Sequence, residues 1–201
     1  MVAIVDYGVG NIRSVVNALK RAGVCSPVLT SDREVLRQAG HVVLPGVGDA
    51  SVAMEALRAE GLAEFIPTLT QPVLGICVGA QIMCRRSEEG DCGCLGIFDT
   101  DVRRFAPQPG LKIPHMGWNT ISNLSSPLFK GLPEGSYVYY VHSFFPEVCS
   151  DTICTTTHSS AEGTGQTFSG ALCHGNFYGC QFHPEKSGAT GAAILKNFLE
   201  I

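Results

Sequence analysis

Along the first ninety residues, apolar and polar positions group into blocks that predict alternating strands and helices. Val2 to Val5 is an uninterrupted apolar run, and Asp6-Tyr7-Gly8-Val9-Gly10 turns the chain after it. Ile12, Val15, Val16 and Leu19 then recur at i, i+3, i+4 and i+7, the stripe of one helix face, with Asn11 as its predicted N-cap and Gly23 as its stop. Val24 to Leu29 reads as a second strand. Ser31 with Glu34 has the spacing of a capping box before a short helix, and His41 to Leu44 reads as a third strand broken by Pro45-Gly46-Val47-Gly48. Asp49 to Ala59 is predicted helical. Pro72 to Ile76 is apolar throughout, as a strand covered on both sheet faces must be. Right-handed crossovers between such units make these strands parallel.

After about residue 90 the texture changes, because Gly and Pro become frequent and short β-like runs follow one another closely. Tyr137 to Val141, Ile153 to Thr157, Phe168 to Cys173 and Phe177 to Phe182 predict an added antiparallel region. Ala193, Ile194, Phe198 and Leu199 mark a closing helix over Ala189 to Leu199. The expected fold is α/β, an open and mostly parallel sheet flanked by helices with additional antiparallel strands in the second half. No repeat or linker divides it, so residues 1–201 are expected to form one domain.

Composition narrows the class. With 45% hydrophobic residues in 201, the chain can bury a sizeable core, which disordered chains cannot. Fourteen Lys and Arg against eighteen Asp and Glu give a net charge of −4 and leave no basic patch longer than a pair, so nucleic acid is not an expected partner. The first residues hold no basic leader, and no apolar run is long enough for a membrane helix, so a cytoplasmic location is expected. Nine irregularly spaced cysteines, an odd number, read as reduced thiols rather than a disulfide framework.

One of those cysteines carries chemistry. Gly75-Ile76-Cys77-Val78-Gly79 follows a buried strand and opens a helix, the form of a nucleophile elbow with cysteine as nucleophile. The flanking glycines are expected because a Cβ there would strike neighbouring backbone, and the helix N-terminus favours a thiolate. Of six histidines, His183 ends the Phe177-to-Phe182 run and has Glu185 two residues on. Strand periodicity is expected to bring both side chains to one side, so that Glu185 orients the imidazole of the general base.

Together these residues resemble the class I, triad-type glutamine amidotransferase domain. Asp6-Tyr7-Gly8-Val9-Gly10-Asn11, Pro45-Gly46-Val47-Gly48, Pro114-His115-Met116-Gly117-Trp118-Asn119, Tyr140-Val141-His142-Ser143 and His183-Pro184-Glu185-Lys186-Ser187 are similar, in order, to motifs of the glutaminase subunits of imidazole glycerol phosphate synthase. Val78-Gly79-Ala80-Gln81 departs slightly, where the family has Leu and a bulkier third residue. The resemblance implies glutamine as substrate, with Cys77, His183 and Glu185 catalytic. It implies an oxyanion hole of backbone amides at Val47, Gly48 and Val78, and substrate contacts at Gln81, His142, Ser143 and Phe144. It further implies a (β/α)₈-barrel cyclase as partner in a heterodimer, docked through Asn11, Trp118, Tyr139 and Lys186, with no cofactor or metal, for histidine biosynthesis.

Read without the resemblance, the residues leave other readings open. Elbow and triad do not specify the acyl group, so a cysteine hydrolase of another γ-glutamyl or peptide bond has the same signature. Cys92, Cys94, Cys149 and Cys154 could assemble a thiolate zinc site, although their spacings are unusual for one. Trp118, the only tryptophan, could be a core residue.

Overall fold

The computed structural model describes residues 1–161, 163 and 165–201. Its first half runs β1 (Val2–Val5), α1 (Ile12–Arg21), β2 (Val28–Thr30), α2 (Arg33–Gln38), β3 (His41–Gly46), α3 (Ala50–Ala59), β4 (Val73–Cys77) and α4 (Val78–Gln81). The second half continues with β5 (Arg86–Ser87), β6 (Cys92–Gly93), β7 (Asp101–Arg104), β8 (His115–Thr120), β9 (Tyr137–His142), β10 (Phe144–Pro146), β11 (Thr152–Ser159), β12 (Gly165–His174), β13 (Phe177–Cys180) and α5 (Gly188–Glu200).

Seven strands form the main sheet in the order β11-β12-β13-β4-β3-β1-β2. β2, β1, β3, β4 and β13 are parallel, and β12 and β11 extend the sheet antiparallel. β13 is therefore the seam, parallel to β4 on one side and antiparallel to β12 on the other. β1, β4 and β13 are buried at every residue, which requires cover on both faces and explains their unbroken apolar runs. A four-stranded sheet, β10-β7-β5-β6, and the antiparallel ribbon β8-β9 complete the fold.

Several element ends differ from expectation for local reasons. β2 begins at Val28 rather than Val24, because the Val24 N–H bonds back to the Leu19 carbonyl and closes the end of α1. Asn11 makes no side-chain cap to α1, since its ψ of 61° is not the extended conformation from which a cap side chain reaches the first amides. α2 is capped by Asp32, not Ser31, through the Glu34 and Val35 amides. β3 continues through Pro45 to Gly46, pairing Gly46 with Cys77, because β1 stops pairing with it at Val43 and leaves that end an edge where proline is tolerated. In α5 the fully buried large residues are Ile194, Leu195 and Phe198, with Ala193 and Leu199 half-buried.

Candidate active site

Cys77 closes β4 and precedes α4 with φ of 54° and ψ of −111°. A non-glycine residue pays about 1–3 kcal/mol to sit there, so the surrounding packing must impose it. Two glycines make that packing possible. A Cβ on Gly75 would lie 2.7 Å from the Gly79 carbonyl oxygen, and one on Gly79 would overlap the Leu44 carbonyl of β3. The helix that follows is a single turn. The carbonyls of Ile82, Met83 and Cys84 are taken by the amides of residues 95 to 98, which ends helical propagation.

His183 meets Glu185 through Nδ1 to Oε1 at 2.8 Å, with both side chains 2% exposed. Strand periodicity is not what joins them. β13 ends at Cys180, and Pro184–Lys186 is a 3₁₀ turn that folds Glu185 back onto the imidazole. Nδ1 donates to the carboxylate, leaving Nε2, which makes no well-aligned hydrogen bond and interacts with the Cys77 sulfur. Burial alone would lower the His183 pKa, but Cys77 and Glu185 outweigh it and raise it to about 9. The backbone of this turn is clamped to β9. The His183 N–H bonds to the Tyr139 carbonyl at 2.9 Å, and Ser187 Oγ accepts the Tyr139 N–H while donating to the His183 carbonyl.

One cavity of about 230 Å³ collects most of the sequence-predicted site. Val47, Gly48, Cys77, Val78, Gln81, His142, Ser143, Phe144, His183 and Lys186 line it. Glu185 stands behind His183. Glu89 also lines the cavity and was not singled out by sequence. Its Oε2 accepts the Ala50 N–H, and burial raises its pKa, the Asp49 charge adding to this and the bond from Ala50 opposing it. Tyr7, another residue the sequence did not assign, is buried and donates to the Pro45 carbonyl at 2.5 Å, fixing the strand that leads into Val47 and Gly48.

The substrate-side residues are held by a buried polar chain. Gln81 Nε2 donates to the Phe144 carbonyl and to Gln181 Oε1, both at 2.9 Å. The Phe144 carbonyl also accepts from His142 Nδ1 at 2.7 Å, and His142 Nε2 in turn meets His115 Nδ1 at 3.0 Å. Burial and the neighbouring His158 push the His115 pKa down to about 3, and burial holds His142 well below the ordinary range. Both rings are neutral in the fold, whereas the unfolded chain binds protons on them below about pH 6.5. Stability is therefore expected to fall as pH falls through this window, by about 1 kcal/mol from His115 alone between about pH 6.5 and 5.5. Urea midpoints at the two pH values check this, and His115→Gln should flatten the difference.

Trp118 is 56% exposed, so it is not a core residue. It sits opposite Tyr139 in the β8-β9 ribbon, edge-to-face at 5.9 Å, and Lys186 Nζ lies 5.9 Å from the Tyr139 ring. Met116 and Tyr137 are exposed on the same ribbon face. Asn11 is half-buried at the head of α1. Among the described residues, no group of three or more His, Cys, Asp or Glu side chains is placed to hold a metal ion, and no helix is long and apolar enough to cross a membrane.

The model of the family "Glutamine amidotransferase class-I" matches residues 3–201. The chain belongs to this family. A relative from Bacteroides thetaiotaomicron, named imidazole glycerol phosphate synthase subunit HisH, is 53% identical over 201 residues, covering 100% of this chain and 99% of the relative. The protein of the same name from Yersinia pestis is 44% identical over 202 residues, with the same coverage of both. Among solved structures, PurLQS from Thermotoga maritima matches with a TM-score of 0.74 at 18% identity, over 99% of this chain and 97% of that one. A glutamine amidotransferase matches with a TM-score of 0.72 at 17% identity, over 100% and 98%. At those identities the structural likenesses bear on the fold, and the amidotransferase sheet, parallel with an antiparallel extension, is the one described above.

Proposed function

We propose that this class I amidotransferase hydrolyses glutamine to glutamate and ammonia and passes the ammonia to the cyclase of imidazole glycerol phosphate synthase, for imidazole ring formation in histidine biosynthesis. The observation that carries this reading is the convergence of a strained cysteine elbow and a buried His-Glu pair on one cavity. Residues 1–201 act as one amidotransferase domain, and the location is cytoplasmic, where histidine synthesis needs its ammonia.

In this reading Cys77 Sγ attacks the side-chain carboxamide carbon of glutamine, and His183, protonated on Nε2, gives that proton to the departing nitrogen. Ammonia leaves, and a γ-glutamyl thioester remains on Cys77. His183 Nε2 then takes a proton from water, whose oxygen attacks the thioester and releases glutamate. Each step passes through an oxyanion, for which the Val78 amide and the Val47-Gly48 segment are the donors at hand, each worth about 3 kcal/mol of barrier. Among the residues lining the cavity, the Glu89 carboxylate suits the α-ammonium of glutamine, with Gln81 in the same lining. His142, Ser143 and Phe144 form the adjoining wall.

Ammonia set free in neutral water is mostly protonated and loses its nucleophilicity, so glutamine hydrolysis is useful only beside an acceptor. We assign the docking face to Trp118, Tyr139 and Lys186, with Asn11 at its margin, facing a cyclase of (β/α)₈-barrel form. The clamp from Tyr139 to His183 gives docking a direct hold on the triad. Glutaminase activity is expected to rise strongly when the cognate cyclase and its nucleotide substrate are added. Trp118→Ala should weaken docking by about 30-fold or more, as loss of a central aromatic anchor does, without lowering the melting temperature of the free subunit. Titration of the cyclase with each form checks this, and activity of the isolated chain that the cyclase leaves unchanged would contradict the subunit reading.

A further inference from the structure

We infer that Gln181 is a positioning residue for the nucleophile, the last link of a directed amide chain that runs from the substrate-facing Gln81 to the Cys77 sulfur. The inference rests on the glutaminase reading above. Gln181 follows β13, is 1% exposed, and has its backbone N–H fixed on the Gly170 carbonyl of β12. Its side-chain Oε1 accepts from Gln81 Nε2 at 2.9 Å, and its Nε2 donates to Cys77 Sγ at 3.8 Å.

A primary amide can present either its oxygen or its nitrogen to a neighbour, so the direction of such a chain must be decided by a group that cannot reverse. The Phe144 carbonyl is that group. It can only accept, and it is held by two donors, His142 Nδ1 at 2.7 Å and Gln81 Nε2 at 2.9 Å. With the Gln81 nitrogen committed to Phe144, Gln181 must turn its oxygen toward Gln81. Its NH₂ then has to face the sulfur. Reversing Gln181 would set its nitrogen against the Gln81 nitrogen and its oxygen against the electron-rich sulfur, two repulsive contacts inside a buried site.

An N–H aimed at Sγ favours the thiolate over the thiol and constrains the direction of the attacking lone pair, in addition to the contact that His183 makes with the sulfur. The chain also has an open end. Among the described residues Gln81 Oε1 is buried and has no hydrogen-bond partner, while Gln81 lines the cavity. A ligand N–H seated there polarises the Gln81 amide and strengthens both of its donations, and through Gln181 the effect reaches the sulfur. Occupation of the substrate end of the cavity and readiness of the nucleophile are thus joined by two side-chain amides. A Gln181 that merely filled space would leave the sulfur's behaviour unchanged on replacement.

The test uses Gln181→Met, of similar length without a donor, and Gln181→Glu, which keeps the acceptor for Gln81 and turns an oxygen to the sulfur. The pH profile of Cys77 alkylation by iodoacetamide is measured in the free subunit, with Cys77→Ala as the blank. Values of kcat and KM for glutamine are measured in the complex with the cyclase. For Gln181→Met the alkylation profile is expected to move to higher pH by about half a unit, with kcat down about 5–20-fold and KM within about twofold. Gln181→Glu should move the profile further in the same direction. A folded variant with the wild-type profile overturns the proposal, and so does a loss of kcat with no displacement of the profile. If Gln181→Met fails to fold, Gln181→Glu decides alone. Should the wild-type label lie elsewhere than Cys77, the glutaminase reading fails first. Label on Cys77 with both variants unaffected leaves that reading standing and removes only the role of Gln181.

Discussion

Replacement of Cys77 by alanine is expected to lower glutamine hydrolysis by at least about 10³-fold, to the assay background, because the proposed acyl intermediate forms on its sulfur. The fold should survive. Alanine carries the same backbone penalty at φ of 54° that cysteine does, and the packing of Gly75 and Gly79 that imposes the turn is untouched. The variant should still dock, and its complex should still make product when ammonia is supplied directly. An electrophilic glutamine analogue is expected to label Cys77 alone in the wild type. Burial raises the thiol pKa of Cys84, Cys154 and Cys180, and it raises Cys94 to about 12, so these carry little thiolate at neutral pH. Peptide mapping that found the label mainly on Cys84, Cys92 or Cys94, or glutamine turnover that survived in Cys77→Ala, would defeat the assignment.

His183→Ala should cost about 10²–10⁴-fold in kcat, the usual worth of a positioned proton carrier, and Glu185→Gln about 10–10²-fold. The order follows from geometry. Glutamine at 185 can still accept from Nδ1 and keep the ring oriented, but it removes the charge that holds the imidazolium. The same charge has a signature in stability. With the His183 pKa raised to about 9 in the fold, the histidine's contribution is fully present below its unfolded value near 6.5 and is lost as pH rises toward 9. In Glu185→Gln the folded pKa drops, so less stability remains to be lost over that window. Urea midpoints at about pH 6 and pH 9 should lie closer together in the variant than in the wild type. Equal kcat for His183→Ala and wild type would sink the base assignment, and an unchanged pH difference in Glu185→Gln would remove the carboxylate from it.

The sequence by itself determined the parallel core and the tight turn that presents the proposed nucleophile. Unbroken apolar runs at Val2–Val5 and Val73–Cys77 can be satisfied only by strands covered on both faces, and Gly-x-Cys-x-Gly is a local steric statement that needs no distant partner. His183 and Glu185 were legible as a pair because they are two residues apart, but the way they meet was not. A proline at 184 turns the chain into a 3₁₀ turn where alternation predicted a strand. Element ends failed where a group was claimed by something outside the local pattern, as the Val24 amide was by α1 and the Asn11 side chain was lost to an unsuitable ψ. Tertiary structure alone decided the rest of the site. Gln81 and Gln181 are a hundred positions apart, Tyr7 reaches Pro45 across the sheet, and Glu89 comes to the cavity from a short 3₁₀ turn. Composition alone favoured a core position for Trp118, and the ribbon register instead puts it on the outward face beside Tyr139. A buried polar chain leaves no periodicity in the sequence, because each link is specified by where its partner's lone pair or proton lies in space, and only the folded sheet fixes that.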